Sequence, residues 1–269
     1  MQRPEGEARE AFPTAFQAVL LYVALLLCEL LVGAALRDMR GLTELASDQT
    51  SALTLVLAHG CVFVVVMHFQ NITYRSLFHH SPASRRATLL LVVPPVLLLV
   101  PALMLTISAV LEVLVRLAPM STGQELMFQR MSDNGIASLM ATCLLAPVLE
   151  EMLFRGIVLR GFLRQYSRGH AILGSAILFG AAHMNLYQFV VGLAMGLVLG
   201  WLYERTRSLI PCIALHLAYN SGLVGMGRLL DSQSGNFSLA SVATVWLVSL
   251  AAAACGTLAL RRMLSHRPR

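Results

Sequence analysis

Residues 135–160 read GIASLMATCLLAPVLEEMLFRGIVLR. From Gly135 to Leu149 the stretch carries no charge; Glu150, Glu151 and Arg155 then interrupt it, and the apolar run resumes until Arg160. About 20 mostly apolar residues are enough for a helix to cross the hydrocarbon core of a bilayer. Ionisable side chains at that depth are costly and mark functional sites by default. The segment therefore predicts a membrane-spanning helix with chemistry inside it.

The rest of the chain agrees. Of its 269 residues, 57% are hydrophobic and 13% charged, against about 45–50% and about 25% in soluble domains. Eight apolar segments are long enough to count as spans: 14–36, 50–70, 88–115, 135–160, 170–186, 188–204, 208–228 and 239–261. The expected fold class is all-α, a polytopic membrane protein of about eight transmembrane helices. Pro94, Pro95 and Pro101 predict a kink or an irregular start in the third segment. The fifth and sixth segments are short and meet in a tight turn near Asn185. The first apolar run is too long for a cleaved signal peptide and lacks a small-residue cleavage site, so it counts as a span.

All 20 basic residues are Arg, and the net charge is +6. No basic run with interleaved aromatics points to nucleic acid; the arginines sit between apolar segments, where they orient the chain. With both termini cytoplasmic, Arg3, Arg9, Arg75, Arg85, Arg86, Arg160, Arg164, Arg168, Arg205, Arg207, Arg261, Arg262, Arg267 and Arg269 fall inside. Arg37, Arg40, Arg116, Arg130 and Arg228 fall outside, and Arg155 lies within a helix. This bias predicts a multi-pass protein of a bacterial inner membrane, N-terminus and C-terminus in the cytoplasm. The five cysteines show no CxxC spacing and read as small hydrophobes. The chain divides into a cytoplasmic tail (1–13), helices without motifs (14–134), a catalytic core (135–228), and a last helix with a basic tail (229–269).

Several ionisable groups at membrane depth have simple explanations. His68 and Glu112 lie near helix ends; Glu29 and His59 are deeper and pair with each other or a neighbouring helix. Three constellations are different. Glu151 and Arg155, four residues apart, share a helix face and can form an ion pair, whereas Glu150 is rotated about 100° from Glu151 and is free to face a different cavity. Pro147, just before them, loosens the helix. Phe179 and His183 share a face of the fifth segment, and His216 and Asn220 a face of the seventh. A carboxylate, two imidazoles and a carboxamide form a water-activating set: the carboxylate takes a proton from water, and the imidazoles or the amide steady the oxyanion. Gly192, Gly196 and Gly200 in the sixth segment permit close helix approach in lipid, bringing the His183 and His216 helices to the Glu150 helix.

Together, the Glu-Glu-x-x-x-Arg of 150–155, the Phe-x-x-x-His of 179–183 and the His-x-x-x-Asn of 216–220 resemble the CAAX protease and bacteriocin-processing family. It is also called the type II CAAX prenyl endopeptidase or abortive-infection family. The stretch Gly196, Gly200, Thr206 and Ser208 resembles that family's glycine-rich segment, and the likeness covers roughly residues 135–225. It implies an eight-helix intramembrane glutamic endopeptidase that cleaves a peptide or a membrane-protein substrate. Glu150 would activate water with the help of His183, His216 and Asn220 would line the oxyanion site, and Glu151, Arg155 and Phe179 would support the site. It also implies no cofactor. There is no His-Glu-x-x-His zinc signature, and zinc, if bound, would need Glu150, His183 and His216. The competing readings are a non-proteolytic scaffold or immunity protein that binds a partner, and a proton-coupled transporter. The intact motif set and the lack of an internal repeat favour the peptidase.

Overall fold

The computed structural model describes residues 12–39, 45–132, 135–231 and 239–265. Residues 1–11 of the expected N-terminal tail, together with Arg3, Arg9, Arg40, Arg267 and Arg269, lie outside the described residues, as does the side chain of Arg130. The fold is all-α. The principal helices are α1 (Ala15–Asp38), α2 (Ser47–Gln70), α3 (Val100–Leu117), α4 (Ile136–Gln165), α5 (Arg168–Ala181), α6 (Leu186–Thr206), α7 (Leu209–Asp231) and α8 (Leu239–Leu264).

Among the described residues, seven helices are long and apolar enough to cross a membrane, one fewer than the eight expected spans. The exception is α5. Its 14 residues rise about 21 Å, short of a hydrocarbon core about 30 Å thick. The cause is local. Met184 adopts a left-handed φ of 53°, which few L side chains tolerate, and Asn185 begins the next helix by accepting the Gln188 N–H at 2.9 Å. The tight turn expected near Asn185 thus cuts α5 off just before His183. The shortened helix packs along α6 as one arm of a hairpin.

The proline-rich third segment is broken as expected. A π-helical turn (Thr88–Val92) and a short helix (Val93–Leu97) precede α3, with Pro94 and Pro101 each in a first turn. Prolines there lack an N–H that the helix start does not need.

Helix α4 is the centre of the molecule. Every residue from Glu151 to Leu159 is buried, and Leu153, Phe154, Ile157 and Leu159 belong to the main core. It is not uniformly α-helical: Ala141–Leu145 and Met152–Leu159 are π-helical. The first irregularity comes directly before Pro147, which cannot donate a backbone hydrogen bond. Such π-bulges recur at functional sites because they free carbonyls and rotate side chains off the regular helical register.

The glycine ladder sets one helix pair. A Cβ on Gly192 would lie 2.8 Å from Gly180 Cα, and one on Gly196 would lie 2.8 Å from both Ala176 Cα and Ala176 Cβ. The ladder therefore seats α6 on α5, the His183 helix, rather than drawing all three motif helices together. The ends of the bundle also sort. Arg160 donates to the Ser76 carbonyl at 3.1 Å, His80 N–H to the Arg207 carbonyl at 2.9 Å, and Arg168 pairs with Glu204 at 3.1 Å. These contacts gather the arginine-rich connections at one end.

Candidate active site

The buried charges come first because they constrain everything around them. Glu151 and Arg155 are both 0% exposed, with Nη1 of the arginine 2.8 Å from Oε1 of the glutamate. The i,i+4 pair expected from the sequence is present. It is also extended: Arg155 Nη2 donates to the Gly196 carbonyl at 3.4 Å, and its guanidinium carbon sits 4.4 Å above the Phe179 ring. Burying two ions is favourable only when geometry and additional hydrogen bonds offset desolvation. Here a glycine carbonyl on α6 and an aromatic face on α5 supply part of that offset. The Gly196 carbonyl comes this close because the residue has no side chain to hold α5 and α6 apart.

His216 joins the two glutamates. Its Nδ1 donates to Glu151 Oε1 at 2.9 Å, and its Nε2 lies 3.7 Å from Glu150 Oε2. Helical rotation left Glu150 free to face a different cavity from Glu151. Instead both carboxylates flank one imidazole, because α7 inserts His216 between them where the α4 backbone passes into its second π-helical stretch. The two glutamates nevertheless differ in exposure: the Glu150 side chain is 22% exposed and Glu151 is sealed.

Phe179 gathers the histidines. Its ring packs edge-on against His183 at 5.5 Å and against His216 at 5.7 Å, and Phe154 packs against it at 5.1 Å. His183 is anchored through Nδ1 to the Phe179 carbonyl at 3.0 Å, which directs Nε2 away from its own helix. Among the described residues no hydrogen bond or ion pair joins His183 to Glu150; the imidazole beside that carboxylate is His216. Asn220 donates through Nδ2 to the Thr142 carbonyl at 2.9 Å, inside the first π-helical turn of α4. One N–H of its amide is thus committed to holding α7 against α4.

The helices without motifs also reach the site. Glu29 on α1 lies 3.8 Å from His59 on α2, the pairing considered from sequence. The Tyr22 hydroxyl donates to the Ala182 carbonyl at 2.9 Å, directly before His183. Tyr22 and Thr142 were not candidates from the sequence. A lone tyrosine and a backbone carbonyl carry no pattern, and only the charge of Glu29 in an apolar helix signalled that α1 mattered. His68 stacks edge-on against Phe69, and Glu112 pairs with Arg116 on an exposed surface; neither joins the site.

No group of three His, Cys, Asp or Glu among the described residues is arranged to hold a metal ion.

Residues 132–222 match the family model described as "Type II CAAX prenyl endopeptidase Rce1-like". All seven candidate residues, from Glu150 to Asn220, fall inside that stretch. The resemblance read from the motifs therefore holds at the level of the family. A Bacillus subtilis protein named "Putative membrane peptidase YdiL" is 31% identical over 88 residues, 33% of this chain. The chain spans 36% of the length of that curated relative. No solved structure matches.

Proposed function

We propose that this chain, on the family likeness of residues 132–222, is an intramembrane endopeptidase. It hydrolyses a peptide bond in a peptide or membrane-protein substrate. The observation that carries the reading is the division between the two glutamates. Glu151 is sealed and committed to Arg155 and His216, whereas Glu150 is partly exposed with an imidazole beside it.

Glu150 is the general base. As a water oxygen attacks the scissile carbonyl carbon, Glu150 accepts the water proton. The carbonyl oxygen becomes an oxyanion, which His183, His216 and the second N–H of Asn220 stabilise. When the C–N bond breaks, the proton on Glu150 passes to the departing nitrogen, giving a carboxyl and an amine product. Glu151, Arg155 and Phe179 position His216 and the α4 backbone and touch no substrate. Nothing in this sequence passes through a metal.

The catalytic core is assigned to residues 135–228, with α1 and α2 as a wall beside Glu150. The arginine bias orients the chain with both termini cytoplasmic in a bacterial inner membrane, and that orientation survives the shortening of α5 because the hairpin with α6 still reverses direction.

The test is cleavage of a peptide library by the purified protein in detergent, alongside Glu150→Ala and His183→Ala. Cleavage by wild type alone is the expected result. Equal cleavage by all three proteins, or none by any while a cellular phenotype survives both substitutions, overturns the reading. A chelator is expected to leave activity intact; loss restored by added zinc contradicts the metal-free mechanism.

A further inference from the structure

A cavity of about 700 Å³ lies between α3, α6 and α8, on the opposite side of α6 from the glycine ladder. Its walls run from Leu99 to Ile107, from Ala194 to Trp201 and from Ala253 to Arg261. Each wall is eight or nine residues long, about 12 Å along a helix. Half of a hydrocarbon core about 30 Å thick is about 15 Å, so the slot is no longer than one leaflet. Leu197 on its wall is 39% exposed, so the slot opens sideways.

The slot has a polar end and an apolar end. Leu99, Trp201 and Arg261 mark the arginine-rich end of the bundle, and Ile107, Ala194 and Ala253 lie toward mid-membrane. Arg261 and Arg262 are both in the last turn of α8. Among the described residues none that lines the slot is acidic and no ion pair holds Arg261, so its charge stands at the mouth of the slot. Tryptophan at this level is characteristic of the interface between headgroups and chains.

We propose that this slot binds one anionic glycerophospholipid, its phosphate on Arg261 and an acyl chain along the Leu99–Ile107 wall. The depth selects a lipid over a protein helix, because a spanning helix of about 20 residues overruns a slot no longer than one leaflet. The charge selects an anionic headgroup, since basic pockets between helices at a membrane face recognise such lipids. The inference is independent of the peptidase reading: α6 separates the slot from Arg155, and no candidate catalytic residue lines it.

The test uses the full chain in detergent, titrated with phosphatidylglycerol or with phosphatidylcholine of identical chains and followed by native mass spectrometry. Wild type is expected to retain one phosphatidylglycerol with several-fold preference over phosphatidylcholine. Arg261→Gln is expected to lose that preference while still accepting either lipid weakly. Ala253→Trp, which fills the slot, is expected to lose both; if it does not fold, Leu197→Trp on the exposed rim replaces it. Equal retention of the two lipids by wild type overturns the proposal. So does phosphatidylglycerol binding that survives a folded slot-filling variant, or a second copy of the chain occupying this face in place of lipid.

Discussion

Replacing Glu151 by Leu removes one charge from the molecule's interior without opening a large cavity. Arg155, itself 0% exposed, then keeps the Gly196 carbonyl and the Phe179 ring but loses its carboxylate partner. His216 loses its Nδ1 acceptor as well. Removing one partner of a buried ion pair costs about 3–5 kcal/mol, a large part of the roughly 5–15 kcal/mol that keeps a typical protein folded. At about 2–4 °C per kcal/mol for a chain of this size class, the melting temperature should fall by about 6–20 °C. Adding Arg155→Met removes the orphaned cation, and most of the loss should return, since apolar replacement of both partners is often close to neutral. The assay is thermal unfolding of wild type, both single variants and the double variant in one detergent, read as a double-mutant cycle. A Glu151→Leu protein that melts within about 2 °C of wild type refutes the claim that this pair is a buried structural charge. A double variant as unstable as the single refutes the claim that the orphaned cation is the cause. A well-folded Glu151→Leu protein without peptidase activity would exchange the roles assigned to the two glutamates.

Other outcomes follow from the same contacts. Glu150→Gln should abolish cleavage while leaving the melting temperature within about 2 °C of wild type, because surface-accessible changes seldom exceed about 0.5 kcal/mol; a large drop in stability would move Glu150 into the structural network. Gly196→Ala should destabilise by about 1–3 kcal/mol, since its Cβ meets Ala176 at 2.8 Å, whereas Gly225→Ala, with nothing within 4 Å of its Cβ, should be neutral or slightly stabilising. Equal effects in a melting comparison would show that the ladder does not set helix approach. At the arginine-rich end, burial and then the charges of Arg160, Arg164 and Arg207 hold the His80 imidazole below its ordinary pKa of 6.5. The unfolded chain therefore binds the proton more tightly. Stability owed to this residue is constant above pH 6.5 and declines as the pH falls from there through the lower folded value. His80→Gln should flatten that slope between wild-type and variant melts; parallel curves would show that His80 is not strained by its arginine neighbours.

Much of the site was legible because it follows helical periodicity. The Glu151–Arg155 contact joins residues four apart in one helix, and helical geometry brings them together whatever surrounds it; Phe179 and His183 keep the same spacing although His183 lies in the turn just after α5. The Glu29–His59 contact was less secure, since two lone polar groups on separate helices specify no register. The relation of Glu150 to Glu151 was left open, because adjacent residues on a regular helix diverge by about 100°. Here a third group from α7 bridges them, where the backbone passes into a π-helical stretch.

Length, apolar composition and the distribution of arginine are additive along the chain, so the sequence alone determined that this is an all-α membrane protein. It also determined where the costly polar groups lie and which of them share a helix face. The separation of a sealed glutamate from an accessible one depends on how three helices meet. Insertion of His216 between the carboxylates and the approach of the Gly196 carbonyl to Arg155 are contacts between residues 41 to 66 positions apart. So is the convergence of both histidines on Phe179 in part: His183 reaches the ring from four residues along the chain, but His216 reaches it only across the bundle. Such contacts arise from packing, where small residues and π-helical turns set distances that no local pattern encodes.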